Sequence, residues 1–552
     1  MKLRSFFTVL GTAIALVLLL AVVSFNQIIQ QSPLKLASGG IEAAPRAAMF
    51  VSRQAPAMVS LLVNPDRLEG FAKLASSPGR RRLTGREFQG LRESLLTGSG
   101  FDYARDIQPW LGEEITLAVT SLDYDRNPGN GAQPGYLLAV QAKDPQLAKE
   151  FLQGAFAPTI FGADLAYDTY DGVKLIYRTA PASGIVACAI AGDMVLFANG
   201  PKVLREAINN VQAPGLNLEA SEAYQNSLKT IINPRIALAY VNLPALSAWI
   251  VNKPAVAPSE AEPLLALALS LKQQGLAAET ALIGIGEPKT QLPTLGEPVG
   301  ALQYVPADSI FTAAGADLAH LWTEIETGLS GESPLGQLLA QFLNRLEKPL
   351  GLKLREEIFP WVRGEYALAL VKNTALHRLD WLFVAQNTPE AAVAIAHLDD
   401  LAAQGQLSVG RLPVLDDRIT AWTKLVTTTA ATSDAYQLSA QVQGVRAAAG
   451  NYWLFTTALG TLEQALGGRE SLEATPAFQR AIAALPQEND GYLYLDWREG
   501  REIFERAFPW LRLVEVAGKP LFDNLRSLTI SSIGNEEGVR RATLFLNLEP
   551  HP

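Results

Sequence analysis

The sequence predicts an α+β fold. It reads as two tandem copies of one domain, each a mostly antiparallel sheet with packed helices, after an N-terminal transmembrane helix. Three observations carry this reading. A run from Phe6 to Phe25 holds no charged residue and follows Lys2 and Arg4. A Pro-Trp turn leading into a strand is spelled twice, "IQPWLGEEITLAV" from Ile107 and "IFPWVRGEYALAL" from Ile358, 251 residues apart. Strand patterns also neighbour one another instead of alternating strictly with helices, which favours α+β over βαβ.

The apolar run comes first. As a helix, twenty residues reach about 30 Å, the thickness of a bilayer core. The nearby positive charges precede the run, so the positive-inside rule leaves the N-terminus in the cytoplasm and the bulk outside. Residues 1–27 are therefore expected to form an uncleaved signal anchor. Val22 and Ser24 also fit the small-residue rule of a cleavage site, so a cleaved signal peptide stays open. A lipid anchor needs a cysteine just after the run, and the chain has one cysteine, Cys188. Residues 28–47, rich in Gln, Ser, Pro, Gly and Ala, read as a flexible tether.

The repeat follows. "APAMVSLLV" at Ala55 aligns with "VPADSIFTA" at Val305. "GYLLAVQAKDPQLAKEFL" aligns with "LDWLFVAQNTPEAAVAIAHL", and "AGDMVLFANGPKVLREAINNV" with "AGNYWLFTTALGTLEQALGG". "LEASEAYQNSLKTI" aligns with "LEATPAFQRAIAAL". The order is constant and the offset drifts by a few residues, as loop insertions in a duplicated domain would make it do. This gives repeat domain 1 at 48–286, a Pro-rich linker at 287–299 and repeat domain 2 at 300–552.

Within each repeat an apolar strand opens the domain ("MVSLLV"; "SIFTAAG"). The Pro-Trp turn leads into a strand at Ile115–Leu122 or Tyr366–Val371. A second strand (Tyr136–Ala142; Trp381–Ala385) precedes an amphipathic helix (Gln146–Phe156; Glu390–Ala403). Asp171-Gly172 between alternating residues signals a tight hairpin. A late helix and the strands "RIALAYVNL" and "GYLYLDW" follow. "LLALALSL", Leu264 to Leu271, is too short to span a membrane and is expected as a buried helix. Pro109, Trp110, Pro360 and Trp361 form the repeat signature. Proline fixes the turn and tryptophan buries a large ring needing an N–H partner, so the pair is expected to plug the sheet end. Paired aromatic platforms lining a groove are the alternative. Glu114 and Glu365 match, and each is expected to be solvated at a strand start.

The chemistry is sparse. The net charge of −9 disfavours nucleic acid as a partner. A lone cysteine excludes an internal disulfide and a Cys cluster. There is no G-x-S-x-G, no H-E-x-x-H, no P-loop and no G-x-G-x-x-G after a strand. The four histidines, His320, His377, His397 and His551, all lie beyond the first repeat, so a His-dependent reaction cannot be shared by both. Asp123, Asp125 and Asn127 begin like a calcium loop, but Pro128 and Pro134 occupy the positions of its Gly and Glu. Arg80, Arg81, Arg82 and Arg86 make a basic cluster that reads as a solvated loop, or as a contact for anionic head groups. No catalytic, cofactor-binding or metal residue is assigned, and no cofactor is expected.

The anchor, "VPADSIFTA" with its first-repeat partner, and "DIQPWLGEEITLAV" with "EIFPWVRGEYALAL" together resemble the uncharacterised bacterial family called domain of unknown function 3352. The likeness covers essentially the whole chain after the anchor. It implies a bacterial, commonly cyanobacterial, source, hence a periplasmic or thylakoid-lumenal body. The function expected is that of an exported, membrane-anchored, non-catalytic binding or scaffold protein with a protein partner. The alternative is a tethered carrier or chaperone for a lipid, pigment or apolar peptide. An enzyme using paired carboxylates is a third reading.

Overall fold

The computed structural model describes chiefly residues 40–67, 102–155, 165–179, 186–246, 264–328, 353–507 and 525–548, apart from short stretches within them. The expected anchor at Phe6–Phe25 and the arginine cluster at 80–86 lie outside the described residues. Among the described residues no helix is long and apolar enough to cross a membrane. The chain divides into two compact units. Unit 1 holds residues 1–285, 504–525 and 548–552; unit 2 holds 286–503 and 526–547. Both mix helices with a large antiparallel sheet.

In unit 1 the strands are β1 (Ala57–Leu61), β2 (Leu111–Ser121) and β3 (Gly135–Ala142), followed by helix α1 (Pro145–Ala155). Then come β4 (Leu165–Tyr170), β5 (Val173–Arg178), β6 (Ala187–Ala191) and β7 (Met194–Ala198). Helices α2 (Pro201–Gln212) and α3 (Glu222–Thr230) precede β8 (Ala237–Asn242), β9 (Leu264–Lys272) and β10 (Gly275–Ile283). Across the sheet the order is β4-β5-β6-β7-β3-β2-β1-β8-β9-β10, every pairing antiparallel.

Unit 2 has β11 (Ser309–Gly315), α4 (Leu318–Gly328), β12 (Tyr366–Asn373), β13 (Arg378–Gln386) and α5 (Pro389–Gln404). It continues with β14 (Ser408–Val414), β15 (Asp417–Thr429), β16 (Tyr436–Ala449) and β17 (Tyr452–Thr456). Helices α6 (Leu459–Leu466) and α7 (Pro476–Ala483) lead to β18 (Gly491–Asp496) and β19 (Leu525–Glu536). The sheet order is β14-β15-β16-β17-β13-β12-β11-β18-β19, again antiparallel throughout. Position for position this is the order of β4 through β9.

The helices follow from their apolar spacing. α1 buries Ala148, Leu152 and Ala155, and α5 buries Ala391, Ile395 and Leu398. Both sets fall at i, i+4 and i+7, one face of a helix. α5 starts at a capping Thr388, whose hydroxyl accepts from the Ala391 amide, with Pro389 at the first helical position. The Asp171-Gly172 hairpin forms between β4 and β5, with φ of 48° and 79° at the turn. Positive φ at both central residues is the twist a two-residue hairpin needs.

Three expectations are corrected. Leu264–Leu271 is strand β9, not a helix. Its backbone pairs with β8 on one side and β10 on the other, and most of its side chains are buried. A short, continuously apolar run carries no period that separates buried strand from buried helix. The end of the tether is part of the folded body. Ile41 makes a two-bond bridge with Arg235, and the 3-10 turn Arg46–Phe50 buries Ala47, Ala48 and Phe50. Glu114 is the third correction. It is 4% exposed and stands inside β2.

Candidate functional site

The two Pro-Trp corners have one construction. Before each lies a single π-turn, Tyr103–Ile107 in unit 1 and Leu354–Ile358 in unit 2. The amide of Gln108 donates to the Tyr103 carbonyl, and the amide of Phe359 to the Leu354 carbonyl. The turn carries a backbone carbonyl to the indole. Trp110 Nε1 donates to the Asp106 carbonyl at 2.8 Å, and Trp361 Nε1 donates to the Glu357 carbonyl at 2.8 Å. That bond removes the cost of burying the ring N–H.

Pro109 and Pro360 are exposed, whereas Trp110 and Trp361 are buried. Trp110 packs on Phe151 of α1 with ring centres 5.4 Å apart, and joins Leu111, Val140, Leu152 and Val195 in one core. Trp361 meets Phe383 and Phe455 at 6.3 and 6.4 Å, in a core with Ile395 and Leu398. Each ring fills the gap between sheet and helix. Neither is a platform open to a ligand.

A carboxylate stands four residues beyond each tryptophan. Glu114 accepts from the amides of Arg46 (2.7 Å) and Ala47 (2.9 Å) and from the Thr116 hydroxyl (2.8 Å). It thereby caps the first turn of Arg46–Phe50, where free amides favour an anion. Burial pushes its carboxyl above the ordinary value, and the three donors oppose that. Glu365 accepts from the Gly300 amide (2.9 Å) at the start of the turn Gly300–Tyr304, and from the Tyr452 hydroxyl (2.5 Å). Sequence alone matches the two glutamates but not their work, because these amide and tyrosine partners lie 65 to 87 residues away.

Next to the capped turn of unit 1 lies an open groove of about 340 Å³. Met49, Phe50, Val173, Met194, Ile208 and Val211 give it apolar walls, and Arg46 and Asp193 stand among its lining residues. Arg46 Nη1 donates to Asp193 Oδ2 at 2.5 Å. Burial pushes the Asp193 carboxyl up, but Gln141 and Arg46 outweigh it and hold it below its ordinary value. In unit 2 the tight turn Gly450-Asn451 between β16 and β17 matches Gly192-Asp193 between β6 and β7. There Tyr304 and Tyr452 meet edge to face with ring centres 5.7 Å apart. Two tyrosines thus stand where unit 1 has Phe50 and Met194.

Groups for covalent or metal chemistry do not converge among the described residues. Among the described residues no three His, Cys, Asp or Glu side chains cluster as a metal would require. Asp123 accepts from the Gln133 amide and Asp125 from the Asn127 amide, bonds that close the loop on itself. Cys188 is buried, and burial pushes its thiol up to about 12, far from a thiolate nucleophile. His397 is exposed on α5, and His377 and His551 lie outside the described residues.

Among solved structures, crystal form IV of TP0453 is similar at 10% identity, covering 46% of this chain and 83% of that one, with a TM-score of 0.24. Crystal form I gives 9%, 45%, 82% and 0.24 in the same order. No curated protein matches the chain. One family model does match, over residues 9–548, nearly the whole length. The chain belongs to that family, described as Protein of unknown function (DUF3352).

Proposed function

We propose that the protein is a non-catalytic binding protein, two copies of one domain held at a membrane by the N-terminal anchor. Its body would face the periplasm or thylakoid lumen, with the N-terminus in the cytoplasm. The groove of unit 1 carries the binding reading. About 340 Å³ is at the small end of the ~300–1,000 Å³ usual for ligand pockets. That volume suits one or two apolar side chains of a partner protein. Met49 and Met194 give its wall adaptable, polarizable surface. The Arg46–Asp193 pair adds a polar edge, the usual surround of an apolar anchor site.

A tethered carrier or chaperone for a lipid, pigment or apolar peptide is the second reading. The apolar lining supports it and the small volume weighs against it. The shared strand order, the matched π-turns and the matched indole bonds support the duplication.

Native mass spectrometry of the full-length protein, gently extracted from its own membrane, separates these readings. A second protein subunit, lost on Val211→Arg, is the expected result. A stoichiometric small lipophilic mass lost on the same substitution would instead establish the carrier. Neither species, or one indifferent to Val211→Arg, would overturn the binding role of the groove.

A further inference from the structure

Beneath the sheet of unit 1 lies a charge that has no counter-charge among the described residues. Arg235, just before β8, is 3% exposed, and its Nε and Nη1 atoms are buried with no hydrogen-bond partner. Tyr224 on α3 is 1% exposed, and its hydroxyl is likewise buried without a partner. Burial pushes the Tyr224 phenol far above its ordinary range, and the nearby charge of Arg235 opposes that. Tyr240 holds the Tyr224 ring edge-on at 5.2 Å.

The main chain of the arginine is held in place. Its backbone is bridged to Ile41 by bonds of 2.9 and 3.0 Å. Gly40 lies so close that a Cβ there would come within 2.3 Å of the Arg235 carbonyl carbon, at a φ of +148° that suits glycine. The guanidinium stays charged at any physiological pH. A buried charge with no counter-charge is strongly destabilising. Glu114 is within electrostatic reach of Tyr224, but its oxygens are taken by Arg46, Ala47 and Thr116, and Arg235 forms no ion pair among the described residues.

Unit 2 shows that the architecture does not require this pair. Its matching bridge joins Leu295 to Asn489, and the matching helix α7 carries Phe478 where α3 carries Tyr224. Phe478 packs there on Tyr492 and Tyr494. The same sheet closes without a cation or a phenol at these places.

We propose that Arg235 and Tyr224 form a buried anion-binding site in unit 1, which takes an oxyanion of the phosphate or carboxylate class. Both residues offer donors. Their complement is an acceptor carrying negative charge, and charge-assisted bonds to it are the strong kind. A water molecule could accept a bond but would leave the cation unbalanced. The site is separate from the groove and does not rest on the function proposed above.

The test uses the full-length chain in an uncharged detergent. Its thermal unfolding midpoint is followed in sodium phosphate, acetate or octanoate against sodium chloride at equal ionic strength. A ligand that binds the native state alone raises the midpoint with its concentration and then only logarithmically. A rise specific to phosphate or a carboxylate is expected in the wild type. In Tyr224→Phe with Arg235→Asn, the pair of residues that unit 2 carries, apparent affinity should fall at least about tenfold, with no loss of midpoint in chloride.

Octanoate acting at about one-tenth the acetate concentration would mark the anion as the head of an apolar ligand. Phosphate or acetate acting as well as octanoate would mark a free oxyanion. No anion-specific rise in the wild type overturns the proposal, as does an equal rise in the double variant. Should the double variant fail to fold, Tyr224→Phe alone decides. A weakened response supports the site, and an unchanged one removes it.

Discussion

Units 1 and 2 set the same strands in the same order, yet they fill that frame differently. What they share builds the frame: a tryptophan on a π-turn carbonyl, a glutamate capping a short turn, and helix faces at i, i+4 and i+7. Where they differ, the difference is polar. Unit 1 has a groove beside its capped turn, where unit 2 sets Tyr304 against Tyr452. Unit 1 buries Tyr224 and Arg235, where unit 2 has Phe478 and Asn489. The shared parts are those the fold needs from each sequence. The parts that differ are free of that demand, and binding is best sought among them.

The strongest way to break this comparison is at the tryptophans. Trp110→Ala and Trp361→Ala each delete a buried ring and orphan a carbonyl that had an indole partner. Large-to-small changes of this kind cost about 3–5 kcal/mol, a large share of the ~5–15 kcal/mol that holds a domain together. Denaturant unfolding followed by fluorescence should show each substitution lowering the stability of its own unit. A silent substitution in either unit would end the claim that the two corners do one job.

The capping glutamates come next. Glu114→Gln keeps the shape but turns an NH2 toward donors, at a cost of about 1–3 kcal/mol at neutral pH. Glu365→Gln should cost less, because Glu365 is only half-buried and its Gly300 and Tyr452 donors meet a single oxygen. The pH dependence has a definite sign for Glu114. Its carboxyl is raised in the folded state, so folding takes up a proton between the unfolded and folded values. Wild-type stability contributed by this group therefore falls as pH rises through that window and recovers on acidification. Relative to Glu114→Gln, the wild type should gain stability as pH is lowered through it. A gap that widens with rising pH would show the carboxyl depressed instead.

The frame is legible in the sequence because it is written in local letters. Pro-Trp, Asp171-Gly172 and the i, i+4, i+7 faces each announce an element by their own spacing. β9 reads as a helix, because its flanking strands bury it and leave no alternation to read. Glu114 and Arg235 are illegible for a different reason. Glu114 meets amides 67 and 68 residues away, and the Arg235 backbone is bridged to Ile41, beside Gly40, from the far end of the unit. A single polar residue carries no period, and its environment is set wholly by contacts distant in sequence. The groove is of the same kind, since Met49, Met194 and Val211 come from three separate elements.

The smallest effect on stability should sharpen the comparison most. Val211 is 38% exposed on α2 and lines the groove. Val211→Arg leaves the core untouched, so unfolding should shift within about ±0.5 kcal/mol. A cation placed in the groove should nevertheless abolish capture of the proposed partner, because its long side chain would occupy the space between the apolar walls and its charge would lose water on binding, while the lining carboxylate, Asp193, is already paired with Arg46. The converse change is Tyr452→Phe in unit 2. It removes the hydroxyl from Glu365 at a cost of about 1 kcal/mol and should leave partner binding unchanged. If Tyr452→Phe weakens binding as Val211→Arg does, both units bind, and the tyrosine pair is a second form of the site.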